Sequence, residues 1–581
     1  MEKKLKEKQG ASSWNSLFHT IKNLRLPWIW IIIGLAINLV ANDLALDLPD
    51  TTADLLGGQL SGAAVTKAVF YYIMIGAMNT LAVAGQAQAQ SYGVRKARES
   101  IWKKMLGMRM DYFDRNDPSD LMSAITNDAS SAVESLVNVI IYLIPSIYYV
   151  VMALKRIGEY HWILALSCFA MIPIKYLYAF IMGRKYRNGM SMLYGKIGIL
   201  TGFLADRILH LPLIKMYTNE EQEGKAGADA SKKLFDANMR LIRLDNLSLG
   251  AASVIDILQK FIVVVVAVVL LQQRKIELSM WVAFFLFSQN LFLYIDAIFD
   301  SWTRIKTIQG TFERVIEIME GDSEEIDATL SFPTEGDITF ENVTFTYPET
   351  DKPALENISF NVPRGSSLAI VGLCGSGKTT SVSLLERLYD PDEGRILIGG
   401  TDIRDLSLLD YRRNISYVQQ GSDIFGGTLR DALTYGIDRE IKDDEIFEAA
   451  EKTGFNEYLK LCDNCLDTEL ASGASSMSGG QSQRLVLTRE FLRGGDIILM
   501  DEPTSALDVR VSAKIQETTD KLFANKTRIL VTHDLTFAKK YDKIIVMENG
   551  KMIGEGTHES LLKDCETYRQ MNDNEKEGVT A

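Results

Sequence analysis

The residues best placed to do chemistry begin at Gly372. The run Gly372-Leu373-Cys374-Gly375-Ser376-Gly377-Lys378-Thr379 fits the pattern G-x-x-x-x-G-K-[ST]. It follows an apolar stretch, Ser367 to Val371, and opens a helix-like run starting at Thr379 and Thr380. Strand, loop and helix in that order form the context in which such a loop cradles phosphates. Gly372, Gly375 and Gly377 let backbone N–H groups, with that of Ser376, come close to an anion, and the helix N-terminus adds positive potential. The pattern assigns Lys378 to the β- and γ-phosphates and the Thr379 oxygen to Mg²⁺.

A second cluster lies downstream. Ile497-Ile498-Leu499-Met500 has the pattern of a buried strand and ends in Asp501-Glu502. A carboxylate at such an end can hold Mg²⁺ through its water shell, and its neighbour can orient or deprotonate an attacking water. Adjacent acids at a strand end are common by chance, but after a phosphate loop they carry weight. A third strand-like run closes on Val531-Thr532-His533-Asp534.

With these residues in view, the sequence resembles the ABC (ATP-binding cassette) transporter family. Met477-Ser478-Gly479-Gly480-Gln481 resembles the family signature, with Met in place of the usual Leu. Gln420 resembles the loop glutamine that senses Mg²⁺ and couples to the membrane domain. Ser505-Ala506-Leu507-Asp508 resembles the D-loop, His533 the switch histidine, and Tyr347 the aromatic on which adenine stacks. The resemblance implies ATP and Mg²⁺ as cofactors. It makes Glu502, His533 and Gln420 the catalytic group, and Thr379, Gln420 and Asp501 the Mg²⁺ ligands. It also implies that two such domains pair head to tail, Ser478 and Gly480 of one capping the γ-phosphate held by Lys378 of the other.

Elements that position these residues occupy the chain unevenly. Stretches of mainly apolar residues near 27–46, 67–87, 133–154, 162–182, 247–271 and 279–303 are each about long enough to cross ~30 Å of hydrocarbon. From 338 to 581 the pattern becomes mixed strand and helix. The expected fold is a six-helix membrane domain over 1–320 with long intracellular helical extensions, a polar linker over 321–337, and an α/β P-loop domain with a helical subdomain over 338–581. The charged N-terminus, MEKKLKEKQG, has no cleavage-like small-residue site after it, so the first apolar stretch is expected to stay as an anchor. Lys and Arg concentrate before the first crossing and after the second and fourth, which puts both termini and the ATP-binding domain in the cytoplasm, most simply at a bacterial inner membrane.

The net charge of −13 argues against a nucleic-acid partner. Five cysteines show no disulfide framework, and Cys462 and Cys465 form a lone C-x-x-C without a second ligand pair, which reads as two structural thiols.

The membrane half resembles the exporter subclass (type IV fold). Asp111-Tyr112-Phe113-Asp114 looks like its first intracellular turn and Ile214-Lys215 part of its second, with His210 where Gly is usual. This implies ATP-driven export of a drug-like, peptide or lipid substrate by alternating access, working as a dimer in membrane lipid. A homodimer is favoured because Lys378, Gln420, Ser478, Gly480, Glu502 and His533 all match the active pattern. The alternative within the same fold is an importer of metal chelates; six crossings exclude a soluble ATPase of the family. Acidic residues suggest a path for cationic or strongly polar substrates. Asp43, Asp47, Asp50 and Asp54 share a face of the first crossing and its continuation, Gln289, Asp296 and Asp300 share a stripe on the sixth, and Asp256 on the fifth sits four residues before Lys260.

Overall fold

The computed structural model describes residues 22, 26–56, 62–170, 172–324, 328–348, 350–419, 421, 423–462, 464–471, 477–503 and 509–576. The chain divides into two units, one of residues 1–106 and 119–320, the other of residues 107–118 and 321–581.

The first unit is helical because its apolar runs can satisfy every backbone N–H and C=O internally only as helices or closed barrels once water is gone. Its main helices are α1 (Trp28–Leu56), α2 (Gly62–Leu106), α3 (Ala129–Tyr160), α4 (Trp162–Phe169), α5 (Ile172–Leu209), α6 (Glu220–Gln272) and α7 (Leu278–Glu320). Among the described residues, six stretches are long and apolar enough to cross a membrane, among them Trp162–Gly183, which joins α4 to the start of α5. The helices run well past the apolar stretches at one end, as the long charged segments suggested. A shared core forms where α3 meets α1 and α7. Tyr149, Phe284, Phe287 and Leu291 are fully buried there, and the rings of Tyr149 and Tyr294 stack at 4.1 Å.

The second unit is built on a six-stranded sheet. Its strands, with those of its companion sheets, are β1 (Ile338–Phe345), β2 (Leu355–Val362), β3 (Ser367–Gly372), β4 (Glu393–Ile398), β5 (Thr401–Asp402), β6 (Ile415–Val418), β7 (Gly427–Thr428), β8 (Glu469–Leu470), β9 (Ile497–Asp501), β10 (Thr527–Thr532), β11 (Lys543–Glu548) and β12 (Lys551–Gly556). The main sheet has the order β12-β11-β3-β10-β9-β6 and is parallel except for β12. All of β3 is buried, as expected of a central parallel strand covered on both faces. Leu368 and Ile370 pack into the core shared with an antiparallel β2-β1-β4-β5 sheet, while Ala369 and Val371 join a second core on the other face. A helical subdomain with its own core, including Leu433, Ile446 and Phe455, carries α8 (Gly479–Arg493). Cys462 and Cys465 pack at the edge of that core.

Two features differ from a simple division at residue 320. Gly107–Pro118, the turn between α2 and α3, belongs to the second unit. The Gly107 carbonyl accepts from the Glu324 N–H at 2.8 Å, Arg109 pairs with Asp390 at 3.0 Å, and the Tyr389 hydroxyl donates to Asp114 at 2.8 Å. The segment expected as a polar linker is also anchored. Glu324 accepts both arms of Arg412, at 2.8 and 3.0 Å, and buried Phe332 donates its N–H to Asp410. A bidentate guanidinium–carboxylate pair holds two segments in one orientation.

Candidate functional site: a phosphate loop at the sheet edge

The register of the parallel strands brings the sequence motifs together. Val371 pairs with Thr532, and Val531 with Asp501, so β3, β10 and β9 end side by side. Gly372, Glu502 and His533 therefore leave the sheet at one edge, the carboxyl ends of the strands, where open α/β sheets bind ligands.

Between β3 and the helix Lys378–Leu385 the loop turns tightly. Gly377 adopts φ +99°, and a Cβ there would lie 2.6 Å from the Ala354 carbonyl oxygen. At Gly372 a Cβ would lie 2.2 Å from the Met547 carbonyl oxygen, so no larger residue fits. Lys378 is buried at 6 % exposure, and its Nζ donates to the carbonyls of Gly372 at 2.9 Å and Leu373 at 3.0 Å. Burial lowers its pKa, opposed by the charges of Glu502, Cys374 and Asp501. The ammonium is thus held by neutral carbonyls, with its positive charge available to an anion. Ser376 Oγ is buried with no hydrogen-bond partner among the described residues. Gly375 and Thr379 complete the loop, and Thr380 is buried behind it, taking the Tyr347 hydroxyl at 3.3 Å.

Asp501 is 2 % exposed and its Oδ1 has no hydrogen-bond partner among the described residues. Burial raises its pKa, the Thr379 hydroxyl bonded to it lowers it, and the neighbouring Glu502 raises it. A buried carboxylate with an unsatisfied oxygen, beside the Thr379 hydroxyl, is the donor set a hard divalent cation prefers. Thr379 and Asp501 fit Mg²⁺ on that ground. Glu502 follows with φ +44°, a left-handed conformation that costs roughly 1–2 kcal/mol for a residue with a Cβ. Its N–H continues the sheet pairing to the Val531 carbonyl at 2.9 Å, which holds the turn in place. The bend swings Glu502 off the buried strand direction, and its Oε1 lies 3.2 Å from His533 Nδ1.

The signature residues sit apart from this edge. Ser478 caps α8: its Oγ accepts from the Gln481 N–H at 3.4 Å, while the Gln481 Oε1 accepts from the Ser478 N–H at 2.8 Å. Gly479 and Gly480 form the first turn. Among the described residues, no hydrogen bond or ion pair joins Ser478–Gln481 to Lys378. Gln420 and Asp508 lie outside the described residues.

Tyr347 packs edge-on against Tyr389 at 5.4 Å, and Tyr389 reaches Asp114 of the turn between α2 and α3. Sequence reasoning missed Tyr389; its signal was an aromatic seventeen residues after Gly372 (389 − 372), shortly beyond the end of the helix that the phosphate loop opens.

In the membrane unit the acidic residues separate into groups. On α1, Asp47 and Asp50 pair with Arg156 of α3 at 2.7 and 2.9 Å, and Asp43 accepts from Tyr148 at 2.9 Å. These carboxylates of the expected path are therefore occupied by protein partners. Asp54 has no described side chain. On α6, Asp256 pairs with Lys175 of α5 at 3.1 Å rather than with Lys260, because the helix stripe carrying Asp256 faces α5. Lys175 also holds Asp296 of α7 at 2.7 Å. Asp296 and Asp300 line one cavity with Asp256, and Gln289 does not border it. Lys175 escaped the sequence reading, although a single Lys inside an apolar crossing is a signal in itself.

Two family models match the chain: the "ABC transporter transmembrane region" over residues 29–295 and the "ABC transporter" nucleotide domain over residues 355–505. The chain belongs to the ABC transporters. It is a multi-pass membrane protein that binds ATP and couples its hydrolysis to transport. Along its length the transporter is 26 % identical over 560 residues to a "Multidrug resistance ABC transporter ATP-binding and permease protein" of Lactococcus lactis subsp. cremoris, covering 95 % of each chain. It is 27 % identical over 503 residues to an "ATP-dependent lipid A-core flippase" of Escherichia coli K12, covering 82 % of each. Its fold matches that of a bacterial Atm1-family ABC exporter solved with ATP bound, with a TM-score of 0.82, 22 % identity, and coverage of 98 % and 99 %. One membrane region and one nucleotide domain per chain make it a half-transporter, an architecture that implies dimerisation.

Proposed function

We propose that the transporter is a homodimeric exporter that uses ATP and Mg²⁺ to move a drug-like, peptide or lipid substrate out of the cytoplasm. The observation that carries this reading is the strand-end group of Lys378, Asp501, Glu502 and His533, intact on the same chain as six apolar crossings. Relatives named as multidrug exporter and lipid flippase support an outward direction.

In this reading Lys378 and the loop N–H groups bind the β- and γ-phosphates, and Thr379 and Asp501 would hold Mg²⁺, which when bound would neutralise phosphate charge. Glu502 orients the attacking water and takes its proton. His533, beside Glu502, reaches the γ-phosphate. Gln420 would complete the Mg²⁺ ligands, and Ser478, Gly479, Gly480 and Asp508 of a second copy would close the site. A separate signature helix, capped within itself, suits delivery of backbone N–H groups from that second copy. Tyr347 offers a ring face to adenine. Both termini and the nucleotide domain lie in the cytoplasm, on the charge distribution of the loops.

Vesicles of both orientations, loaded against a panel of labelled compounds, test the direction. ATP-dependent uptake into inside-out vesicles is expected; ATP-dependent uptake only into right-side-out vesicles would make the chain an importer. A single purified gene product that hydrolyses ATP as a dimer is expected, and a strict need for a second, different chain would remove the homodimer.

A further inference from the structure

Between α5, α6 and α7 lies a cavity of about 360 Å³. Three carboxylates, Asp256, Asp296 and Asp300, border it with one ammonium, Lys175. The geometry of this group is one-sided. The Lys175 side chain is 6 % exposed, whereas those of Asp256 and Asp296 are 47 % and 48 % exposed. Lysine thus approaches from the wall, and the carboxylates face the opening. Both contacts to Lys175 run through Oδ1, so each carboxylate retains a second oxygen. One turn beyond Asp256 on α6, Gln259 is 1 % exposed, and neither its Oε1 nor its Nε2 has a hydrogen-bond partner among the described residues, but it does not border the cavity. Phe299, Tyr178 and Met182 supply an apolar and aromatic lining. Asp300 also borders a neighbouring polar cavity of about 300 Å³ with Arg304, Gln86 and Asn138.

The charges do not balance within the first cavity: three negative groups face one positive group. At membrane depth such an excess must meet water or an opposite charge. A lysine held in place by its own chain is a cation at high effective concentration, which any other cation must share or outcompete. We propose that this cavity binds an organic cation with an apolar body, and that Lys175 is a built-in competitor that weakens the binding until the substrate takes over the free carboxylate oxygens. The inference rests on the transport reading above for its purpose, but not for its test.

The test is equilibrium binding to the full-length purified protein in nanodiscs without nucleotide. Tritiated tetraphenylphosphonium is the probe, and tetraphenylborate, of the same shape and opposite charge, is the competitor. Lys175→Met is expected to bind the phosphonium about tenfold more tightly, the effect of removing one like charge a few ångströms away in a partly screened site. Lys175→Arg, which keeps the charge, should bind as the wild type does. Asp300→Asn, which leaves the Lys175 pairs intact, should bind about tenfold more weakly by the same argument. Unchanged or weaker phosphonium binding in Lys175→Met overturns the competitor role. If that variant does not fold, unchanged binding in Asp300→Asn overturns the site, and so does displacement by tetraphenylborate at lower concentration than by unlabelled phosphonium. Because no ATP is present, loss of transport in vesicles with binding intact would count against the export reading and not against this site.

Discussion

Two buried lysines divide the molecule's chemistry between them. Lys378 sits among backbone carbonyls at the end of β3, and Lys175 sits between carboxylates of two helices. Carbonyls hold the first ammonium without cancelling its charge, so the site attracts an anion, a polyphosphate. Carboxylates hold the second and exceed its charge, so its cavity attracts a cation. The same side chain at the same depth of burial serves opposite ligands, and what decides is whether its partners are dipoles or ions. A site made of dipoles keeps its geometry when its ligand leaves, while a site made of ions can rearrange by exchanging one counter-charge for another.

Glu502→Gln should keep ATP affinity while slowing hydrolysis by on the order of 10² or more, the usual worth of a general base. Turnover at the wild-type rate would remove Glu502 from the proton transfer. Lys378→Met should weaken ATP binding by about tenfold or more, since a charge-assisted hydrogen bond to phosphate is worth about 1.5–3 kcal/mol. This is opposite in sign to the tightening expected from Lys175→Met toward its own ligand, and the two titrations sharpen the contrast together. If both substitutions weaken binding, the dipole–ion distinction fails.

A smaller effect is expected where the turn between α2 and α3 meets the nucleotide domain. Tyr389→Phe removes the bond to Asp114 but keeps the ring packing against Tyr347. Basal ATP hydrolysis should persist, while its stimulation by a transported compound should fall by roughly half to several-fold, as for the loss of one net hydrogen bond. Full stimulation would show that this contact carries no coupling.

The smallest effect concerns stability. Burial pushes the Glu386 carboxyl up to about 8, with Arg412 and Arg493 opposing and Glu490 and Asp501 reinforcing. Its folded pKa exceeds the unfolded value, so the folded state binds the extra proton. The stability this gives is complete at acid pH and is lost as pH rises through about 8. Glu386→Gln should therefore flatten the fall in melting temperature between about pH 5 and pH 8, by a few degrees at the upper end. A variant that melts with the wild-type pH slope would place the titration elsewhere.

Legibility in the sequence follows the distance between partners. The phosphate loop is contiguous, and its strand–loop–helix context is visible in the same short stretch, so Gly372, Lys378 and Thr379 could be assigned chemistry directly. Asp501, Glu502 and His533 were legible as strand ends, but their alignment depends on the parallel pairing of β9, β10 and β3. The membrane cavity was half visible. Asp296 and Asp300 stand out as acids in an apolar helix, but the partner that sets their charge lies 121 residues away from Asp296 on another helix. The acids of α1 looked equivalent to them in spacing, and only the position of Arg156 separates the two sets. Spacing along one helix reports a shared face, not what stands opposite it. Likewise, nothing in the composition of Gly107–Pro118 announces that it packs with the nucleotide domain, because that attachment is made by Asp390, Tyr389 and Glu324, more than two hundred residues on (324 − 107).

In the proposed mechanism, ATP hydrolysis at Glu502 drives movement across the six crossings. Proteoliposomes containing only this chain, with ATP and Mg²⁺ outside, allow phosphate release and accumulation of labelled tetraphenylphosphonium to be followed in the same sample. Accumulation that requires ATP is expected in the wild type, falling together with phosphate release in Glu502→Gln. Accumulation that continues in Glu502→Gln at the wild-type rate, after phosphate release has stopped, would contradict it.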